Sequence, residues 1–257
     1  MAMLLLAHAH GLVVNAHHVD HGARPDSAHD VNVITPVAEA LGIDVVVHTV
    51  SVELGPNFEA RAREARYAVL PDDVMTGHTA DDQAETVLIN LLRGAASQGL
   101  GAMRPTYARP ILALRRSETH ALCEAHGVTT VTDSTNTDPR FVRNRVRAEL
   151  LPLIADISHR DPVPLLTRSA DLLREDNDLL DELAAAIDPT DALALASAPV
   201  PLARRAVRQW LANPYPPDLA TIERVLSVAR GDALACDIGE NREIRRSKQR
   251  LSLRNLG

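Results

Sequence analysis

Three carboxylates crowd the start of one predicted helix, directly after a histidine. The segment TGHTADDQAET contains His78, Asp81, Asp82 and Glu85. At about 100° per residue, the three acids lie on one face within a single helical turn. Like charges repel, so a bound cation would stabilise them, either Mg²⁺ or the ammonium group of a substrate, and His78 suits acid–base chemistry or contact with phosphate. A helix cap at Thr79 and the helix dipole are the structural alternative.

A run of histidines marks the end of the first predicted strand. Residues 17–22 read HHVDHG, and the spacing of His18 and His21 could suggest a metal. No further ligand pair has a recognisable spacing, so metal alone is the weaker interpretation. We favour a strand end that faces a ligand.

Two segments concentrate positive charge. Helical spacing of RFVRNRVR (residues 140–147) predicts Val142, Val146 and Leu150 inside and the basic and amide side chains outside, namely Arg140, Arg143, Asn144 and Arg147. A solvated face is the structural alternative, but arginine without interleaved acids in an acidic protein suits phosphate instead. The tail at 241–254 is a second candidate RNA-facing patch, with six basic side chains against Glu243. By contrast, Glu59 and Arg63 have the spacing of an ordinary exposed helix pair.

Short apolar strands alternate with helices up to about residue 80. We predict helices at 1–10, 27–41, 57–70 and 80–93, and strands at 12–19, 43–50 and 74–76. This order predicts an α/β fold, a parallel sheet flanked by helices on both faces, with ligands at the carboxyl ends of the strands. The later chain is mainly helical, at 141–151, 164–187, 200–212 and 218–230, with strand-like stretches at 233–238 and 243–253. We therefore expect an α/β domain over 1–157 and a smaller, mainly helical domain over 158–257.

Composition excludes several classes of protein. The chain has 257 residues, a net charge of −7 and only 2% aromatic residues, so a general nucleic-acid coat and a base-stacking platform are disfavoured. Cys123 and Cys236 are too few and too far apart for a disulfide framework or a cysteine metal cluster. The opening MAMLLLAHA lacks a basic n-region, and no long apolar run follows. We expect a cytoplasmic protein with no membrane partner.

Six blocks occur in an order that is characteristic of one family. They are HVDHGAR (18–24), NFEARAREARY (57–67), TGHTADDQAETVLINLLRG (76–94), RPIL (109–112), DSTN (133–136) and RFVRNRVRAELLP (140–152). Over residues 11–152 this combination resembles the tRNA(Ile)-lysidine synthetases of the PP-loop, or N-type ATP pyrophosphatase, group. The resemblance implies an adenine nucleotide alpha hydrolase-like fold for the first domain and a tRNA-contacting role for the second.

The resemblance also implies a two-step reaction. ATP adenylates the wobble cytidine of a minor isoleucine tRNA with a CAU anticodon, and free L-lysine then replaces AMP to give lysidine. It assigns ATP binding to Asp20, His21 and Arg63, catalysis to His78, Asp82 and Glu85, lysine binding to Asp82 and Glu85, and tRNA binding to Arg143, Arg145 and Arg147. The expected cofactors are ATP and Mg²⁺, with Asp81 as the candidate metal ligand.

One block of the family pattern is not found in this sequence. The family has an SGGxDS loop just before the helix that here begins at Met1. Either the chain starts at an internal methionine or the first strand and loop are absent. If they are absent, we expect residues 1–257 alone to bind ATP poorly and to make no detectable lysidine, and the bare sheet edge would favour association, such as a homodimer. A degenerate tRNA-binding homologue is the alternative function. Related tRNA-thiolating enzymes need cysteine pairs that Cys123 and Cys236 do not supply.

Overall fold

The computed structural model describes residues 1–20, 27–51, 58–129, 138–213 and 215–256, with only the backbone for 27–30 and 58–60. The chain divides into two compact units, residues 1–170 and 171–257. The sequence pattern places the boundary after residue 157, whereas the structure places it inside a long helix.

The first unit contains a small parallel sheet and a set of helices. Its elements are α1 (Ala2–Ala9), β1 (Ala16–Asp20), α2 (Ser27–Ala40), β2 (Val45–Thr49), α3 (Phe58–Val69), α4 (Ala80–Leu92), α5 (Ser97–Leu100), α6 (Arg116–Ala125), α7 (Val142–Arg145), a π-helical turn (Val146–Leu150), α8 (Leu151–Ser158) and the start of α9 (Pro162–Ala185). Strands β1 and β2 pair in parallel, with Ala16 opposite Val45 and Asp20 opposite Thr49. The predicted parallel sheet with flanking helices is confirmed, with shorter strands.

Two details of the predicted sheet are wrong. Residues 74–76 are not a strand; this segment is held through the Thr76 N–H, which donates to the Ala108 carbonyl at 2.8 Å. The sheet is also not fully covered, because Val46 and Val47, on opposite faces of β2, are 38% and 48% exposed. Among the described residues this sheet has only two strands.

Helix α4 is the central element of the site. Its buried residues Ala84 and Leu88 pack in one core cluster with Val146 of the π-helical turn and Leu151 of α8. The helix is followed by Gly94, whose positive φ of 73° suits the reversal of the chain there. This packing holds the acidic start of α4 beside the arginine-rich segment.

The second unit combines helices with a three-stranded antiparallel sheet. After α9 it contains α10 (Ala192–Ser197), α11 (Val200–Trp210), α12 (Leu219–Arg230), β3 (Ala235–Gly239), β4 (Arg242–Ser247) and β5 (Arg250–Asn255). The single stretch predicted at 243–253 is in fact the hairpin β4–β5, because Lys248 and Gln249 both adopt positive φ, the conformation of a tight two-residue turn. Nowhere in the described ranges is a helix both long and apolar enough to cross a membrane.

Candidate active site at the start of helix α4

Asp82 caps helix α4 and still presents one oxygen to a cation. Its Oδ2 accepts hydrogen bonds from the N–H and the hydroxyl of Thr79, at 2.8 and 2.7 Å. Its Oδ1 accepts from Nη2 of Arg116 at 2.9 Å. Burial raises the pKa of Asp82, but the Thr79 hydrogen bonds and the charge of Arg116 outweigh it, so the pKa lies below its ordinary value. Asp82 is therefore an ionised group. Helix capping explains the contacts of Oδ2 but not the contact of Oδ1 with Arg116.

Asp81 is occupied by the backbone and side chains at the start of α6. Its carboxylate accepts from Nε and Nη2 of Arg115, at 3.1 and 3.2 Å, and from the N–H of Arg116 at 2.7 Å. Burial raises the pKa of Asp81, but these donors lower it below its ordinary value. Because Asp81 already pairs with the Arg115 guanidinium and accepts three hydrogen bonds, it does not fit the expected role of a Mg²⁺ ligand. Within the part of the chain that the structure describes, no group of three or more metal-ligating side chains exists.

Glu85 is a fully buried carboxylate held by two arginines. Its side chain is 0% exposed, and its Oε1 accepts from Nη2 of Arg116 at 3.0 Å and from Nε of Arg147 at 2.7 Å. Nη2 of Arg147 also donates to Oε2 at 3.2 Å. A buried charge needs such partners, because its removal from water is costly. The cation expected beside the three acids is thus, in this structure, supplied by the chain's own guanidinium groups.

The arginine-rich segment does not present the face that its spacing predicts. Arg147 and Arg143 lie against α4, with Nε of Arg143 3.9 Å from Glu85, whereas Arg145 pairs with Glu149 on the exposed surface at 2.8 Å. Asn144, expected outside, is buried, and Val142, expected inside, is 50% exposed. The reason is local: α7 ends at Arg145 and the π-helical turn follows, so one regular helical period does not describe the segment.

His78 is held by its neighbour two residues earlier. The hydroxyl oxygen of Thr76 lies 2.8 Å from Nδ1 of His78, and the same hydroxyl donates to the carbonyl oxygen of Ala108 at 3.1 Å. Thr76 therefore links the imidazole of His78 to the backbone at Ala108.

The surroundings of His78 favour its neutral form. Burial, the largest influence, lowers its pKa, and the carboxylate of Asp82 opposes this effect. Three guanidinium groups lower the pKa further, namely those of Arg63, Arg109 and Arg143. The net pKa of His78 lies below the ordinary value, so the site offers a neutral imidazole under the influence of three guanidinium groups.

The remaining predicted residues that the structure describes make contacts of their own outside the cluster of acids on α4. Arg63 lies in α3 with its guanidinium 4.9 Å above the ring of Tyr67. Asp20 is the last residue of β1, and its backbone carbonyl accepts from the Val50 N–H at 2.8 Å. His21 and the DSTN block lie outside the described residues.

Sequence reasoning missed four participants, namely Thr76, Arg109, Arg115 and Arg116. Thr76 and Arg109 were inside recognised blocks, but their types alone did not indicate a role. Arg115 and Arg116 meet the acids of α4 only through the fold, across 34 positions of the sequence in the pairs with Asp81 and Asp82. No spacing within the sequence signals such a pair.

Comparisons with known proteins bear on the family to which the chain belongs. Residues 1–154 match the PP-loop domain family, and residues 191–252 match the TilS substrate binding domain. A tRNA(Ile)-lysidine synthase from Nocardia farcinica is 38% identical over 254 residues, covering 90% of this chain and 79% of the relative. Another, from Mycolicibacterium paratuberculosis, is 43% identical over 208 residues, or 75% of this chain. The first match defines a PP-loop protein. More particularly, the chain belongs to the tRNA(Ile)-lysidine synthase family.

The extent of these matches differs among relatives. Aligned residues cover 65% of the Mycolicibacterium paratuberculosis protein and 66% of that from Mycobacterium tuberculosis. Among solved structures, a U34-tRNA thiolase from Methanococcus maripaludis aligns with a TM-score of 0.51 at 17% identity, covering 67% of this chain and 68% of that one. At this identity the likeness concerns the fold alone.

Proposed function

We propose that this protein is a tRNA(Ile)-lysidine synthase, an ATP-dependent C–N ligase of the cytoplasm. In the first step the C2 oxygen of the wobble cytidine attacks ATP and pyrophosphate leaves. In the second, the ε-amine of L-lysine forms a bond to C2, the C2–O bond breaks and AMP leaves. The observation that carries the proposal is the juxtaposition of His78, whose lowered pKa favours the neutral ring, with Asp82 and Glu85, which share the guanidinium of Arg116 at the start of α4.

The arginines around His78 supply the phosphate side of this proposal. Arg63, Arg109 and Arg143 all act electrostatically on His78. Among the described residues, Nε of Arg109 and Nε of Arg143 are buried without a hydrogen-bond partner, so each retains donor capacity for an anion. Guanidinium groups suit the triphosphate of ATP and the phosphates of tRNA. We keep Asp20 and His21 as the adenine contacts implied by the family resemblance.

In this proposal Mg²⁺ is bound by the phosphates of ATP rather than by Asp81. The Asp81 carboxylate already pairs with the side chain of Arg115 and the N–H of Arg116. Protein-bound Mg²⁺ commonly keeps several waters and takes ligands from substrate phosphates. The ion would therefore neutralise phosphate charge, while the side chains named above orient the reacting groups.

The proposed site for the lysine ammonium is the position between Asp82 and Glu85 that the guanidinium of Arg116 occupies in this structure. Nη2 of Arg116 bridges Asp82 Oδ1 and Glu85 Oε1, at 2.9 and 3.0 Å. A substrate ammonium has the charge and the donors to occupy the same place. Because Arg116 is 28% exposed, its guanidinium has access to solvent when lysine displaces it. Asp82 and Glu85 are then the lysine-binding pair.

Formation of lysidine tests the proposed function directly. The protein, expressed as its gene encodes it, is incubated with ATP, radiolabelled lysine and an isoleucine tRNA transcript with the CAU anticodon. We expect label in tRNA and lysidine in its nucleoside digest, both lost when ATP is omitted or when the wobble cytidine is replaced by uridine. Binding of tRNA with no lysidine under any of these conditions would instead support a degenerate tRNA-binding homologue. Light scattering of the same sample tests the proposed homodimer.

Substitution of Asp82 separates lysine recognition from ATP use. Asp82→Asn keeps the shape and removes the charge, so we expect the KM for lysine to rise about tenfold or more while the KM for ATP changes little. Glu85→Gln should act in the same direction. Asp161→Asn is the matched control, because Asp161 pairs with Arg115 at 2.5 Å but is not in the lysine pair. A wild-type lysine KM in both Asp82→Asn and Glu85→Gln would remove the assignment.

A further inference from the structure

We infer that Thr76 is a positioning residue that fixes the tautomer of His78, with the proton on Nδ1 and the lone pair on Nε2. The geometry that carries this inference is a short chain of three groups: the Ala108 carbonyl, the Thr76 hydroxyl and the imidazole. The tautomer follows from the hydrogen bonds among these three groups alone. Its catalytic consequence rests on the proposed function.

The single proton of the Thr76 hydroxyl decides the direction of the hydrogen bonds among these three groups. The Ala108 carbonyl oxygen is only an acceptor, and the Thr76 hydroxyl donates to it at 3.1 Å. A hydroxyl has a single proton, so towards Nδ1 of His78, at 2.8 Å, the Thr76 oxygen acts as an acceptor. Nδ1 must then carry the proton.

The opposite tautomer makes one hydrogen bond fewer. If Nδ1 carried the lone pair, the Thr76 hydroxyl would have to turn towards it and release the Ala108 carbonyl. That carbonyl would keep only the bond from the Thr76 N–H, at 2.8 Å. The arrangement in which the hydroxyl both donates to Ala108 and accepts from Nδ1 makes one hydrogen bond more, and a net hydrogen bond in a partly buried site stabilises it.

The charged groups around His78 make the choice of tautomer matter. Asp82 at the start of α4 is the acid that faces it, and the cations that face it from other elements are Arg63, Arg109 and Arg143. Together with burial, these cations favour the neutral ring, which has one N–H and one lone pair. Fixing the N–H on Nδ1 leaves Nε2 as the basic nitrogen.

A basic Nε2 has a defined task in the proposed second step. The ε-ammonium of lysine has no lone pair, so it must give up a proton before its nitrogen can bond to C2. Nε2 accepts that proton while Nδ1 keeps its hydrogen bond to Thr76. The C2–O bond then breaks, AMP leaves with the electron pair, and the second proton of the new C–N group passes to water. Thr76 does not touch the reacting atoms; it acts through His78.

Nitrogen-15 NMR of histidine tests the tautomer. The signals of His78 are assigned by their loss in His78→Gln. In the wild type we expect a pyrrole-type Nδ1 and a pyridine-type Nε2. Thr76→Val removes the acceptor and should move the two shifts towards each other as the tautomers mix, whereas Thr76→Ser should restore the wild-type pattern. Thr167→Val is the control, because the Thr167 hydroxyl in α9 donates to a backbone carbonyl away from any histidine contact described above.

Kinetics provides a second readout. We expect Thr76→Val to lower kcat for lysidine formation about tenfold with little change in the KM for lysine or ATP, and Thr76→Ser to recover most of it. A pyridine-type Nδ1 in the wild type, or unchanged shifts in Thr76→Val, would overturn the inference even if the enzyme is active. A wild-type protein that makes no lysidine would contradict the proposed function, while the spectra would still decide the tautomer.

Discussion

At the scale of single residues, burial and charge at the start of α4 determine which groups are ionised. His78 is kept neutral by burial and by nearby guanidinium groups. Asp82, a few residues away, is kept ionised by the hydrogen bonds of Thr79 and the charge of Arg116. A neutral base next to an ionised acid, each with a pKa set by its surroundings, is typical of sites that transfer protons.

The lowered pKa of His78 predicts a specific pH dependence of stability. The unfolded chain takes up a proton at the ordinary histidine pKa of about 6.5, before the folded state does. The free energy of unfolding should therefore fall as pH drops below about 6.5, until the folded pKa is passed, and should be insensitive to His78 above it. Urea unfolding between about pH 5 and pH 8 measures this.

In that experiment His78→Gln should flatten the dependence below pH 6.5, and substitution of the exposed His8 should leave it intact. The acid limb of kcat/KM should likewise lie below pH 6.5. An acid limb above this value would show that His78 is not neutral in the working enzyme.

Removal of the buried charge at Glu85 should destabilise the first unit. Glu85→Gln leaves Arg116 and Arg147 without their shared anion, although both arginines reach solvent, so we expect the free energy of unfolding to fall by about 2–3 kcal/mol. Glu149→Gln is the control, because its pair with Arg145 is exposed and should contribute little. Equal stability of the two variants in urea would show that the guanidinium groups do not stabilise Glu85.

At the scale of elements, contacts at the end of a helix join it to its neighbours in the fold. Helix α12 ends at Gly231, whose φ of 93° is in the left-handed region. Nη1 of Arg246, in β4, donates to the carbonyl of Ala229 at 3.1 Å. A cation at these carbonyls suits the negative end of the helix dipole, so one contact joins α12 to the antiparallel sheet.

Gly231→Ala should break this contact. A Cβ there would lie 2.5 Å from Nη1 of Arg246, so the guanidinium must leave the helix end, and the left-handed φ adds strain. We expect a loss of about 2 kcal/mol in the free energy of unfolding. Gly127→Ala has a similar φ but an open surrounding, and should lose only about 1 kcal/mol. Identical losses would mean that Arg246 contributes nothing.

At the scale of the whole molecule, an acidic chain must bind a polyanion through local positive charge. The net charge is −7, so the proposed contact with tRNA depends on where the arginines lie. Arg143 and Arg147 are turned towards the acids of α4, whereas Arg145 is exposed. Arg145 is therefore the cleanest probe of the proposed tRNA contact in this segment.

Arg145→Ala should weaken tRNA binding and reduce its salt dependence. Loss of one phosphate contact lowers the slope of log K against log salt by about 0.7–0.9. Filter binding at several salt concentrations measures it, with Arg93→Ala as an exposed control outside the segment. If affinity and slope match the wild type, the Arg145 side chain belongs to a solvated surface.

The sequence by itself determined the parallel α/β class, most helix positions and the acidic start of α4. These features depend on short-range periodicity, capping and block order, which are properties of neighbouring residues. It also indicated the family, because six blocks keep their order along the chain.

Only the tertiary structure decided what neutralises those acids. Glu85 and Arg147 are separated by 62 positions, and Asp81 and Arg115 by 34, so no local pattern connects them. The π-helical turn at 146–150 changed the predicted face of the arginine segment, and the Ala108 carbonyl oriented Thr76 and His78. Burial and long-range charge pairing arise only when distant segments pack together, and for that reason the protonation state of the site was decided by the fold.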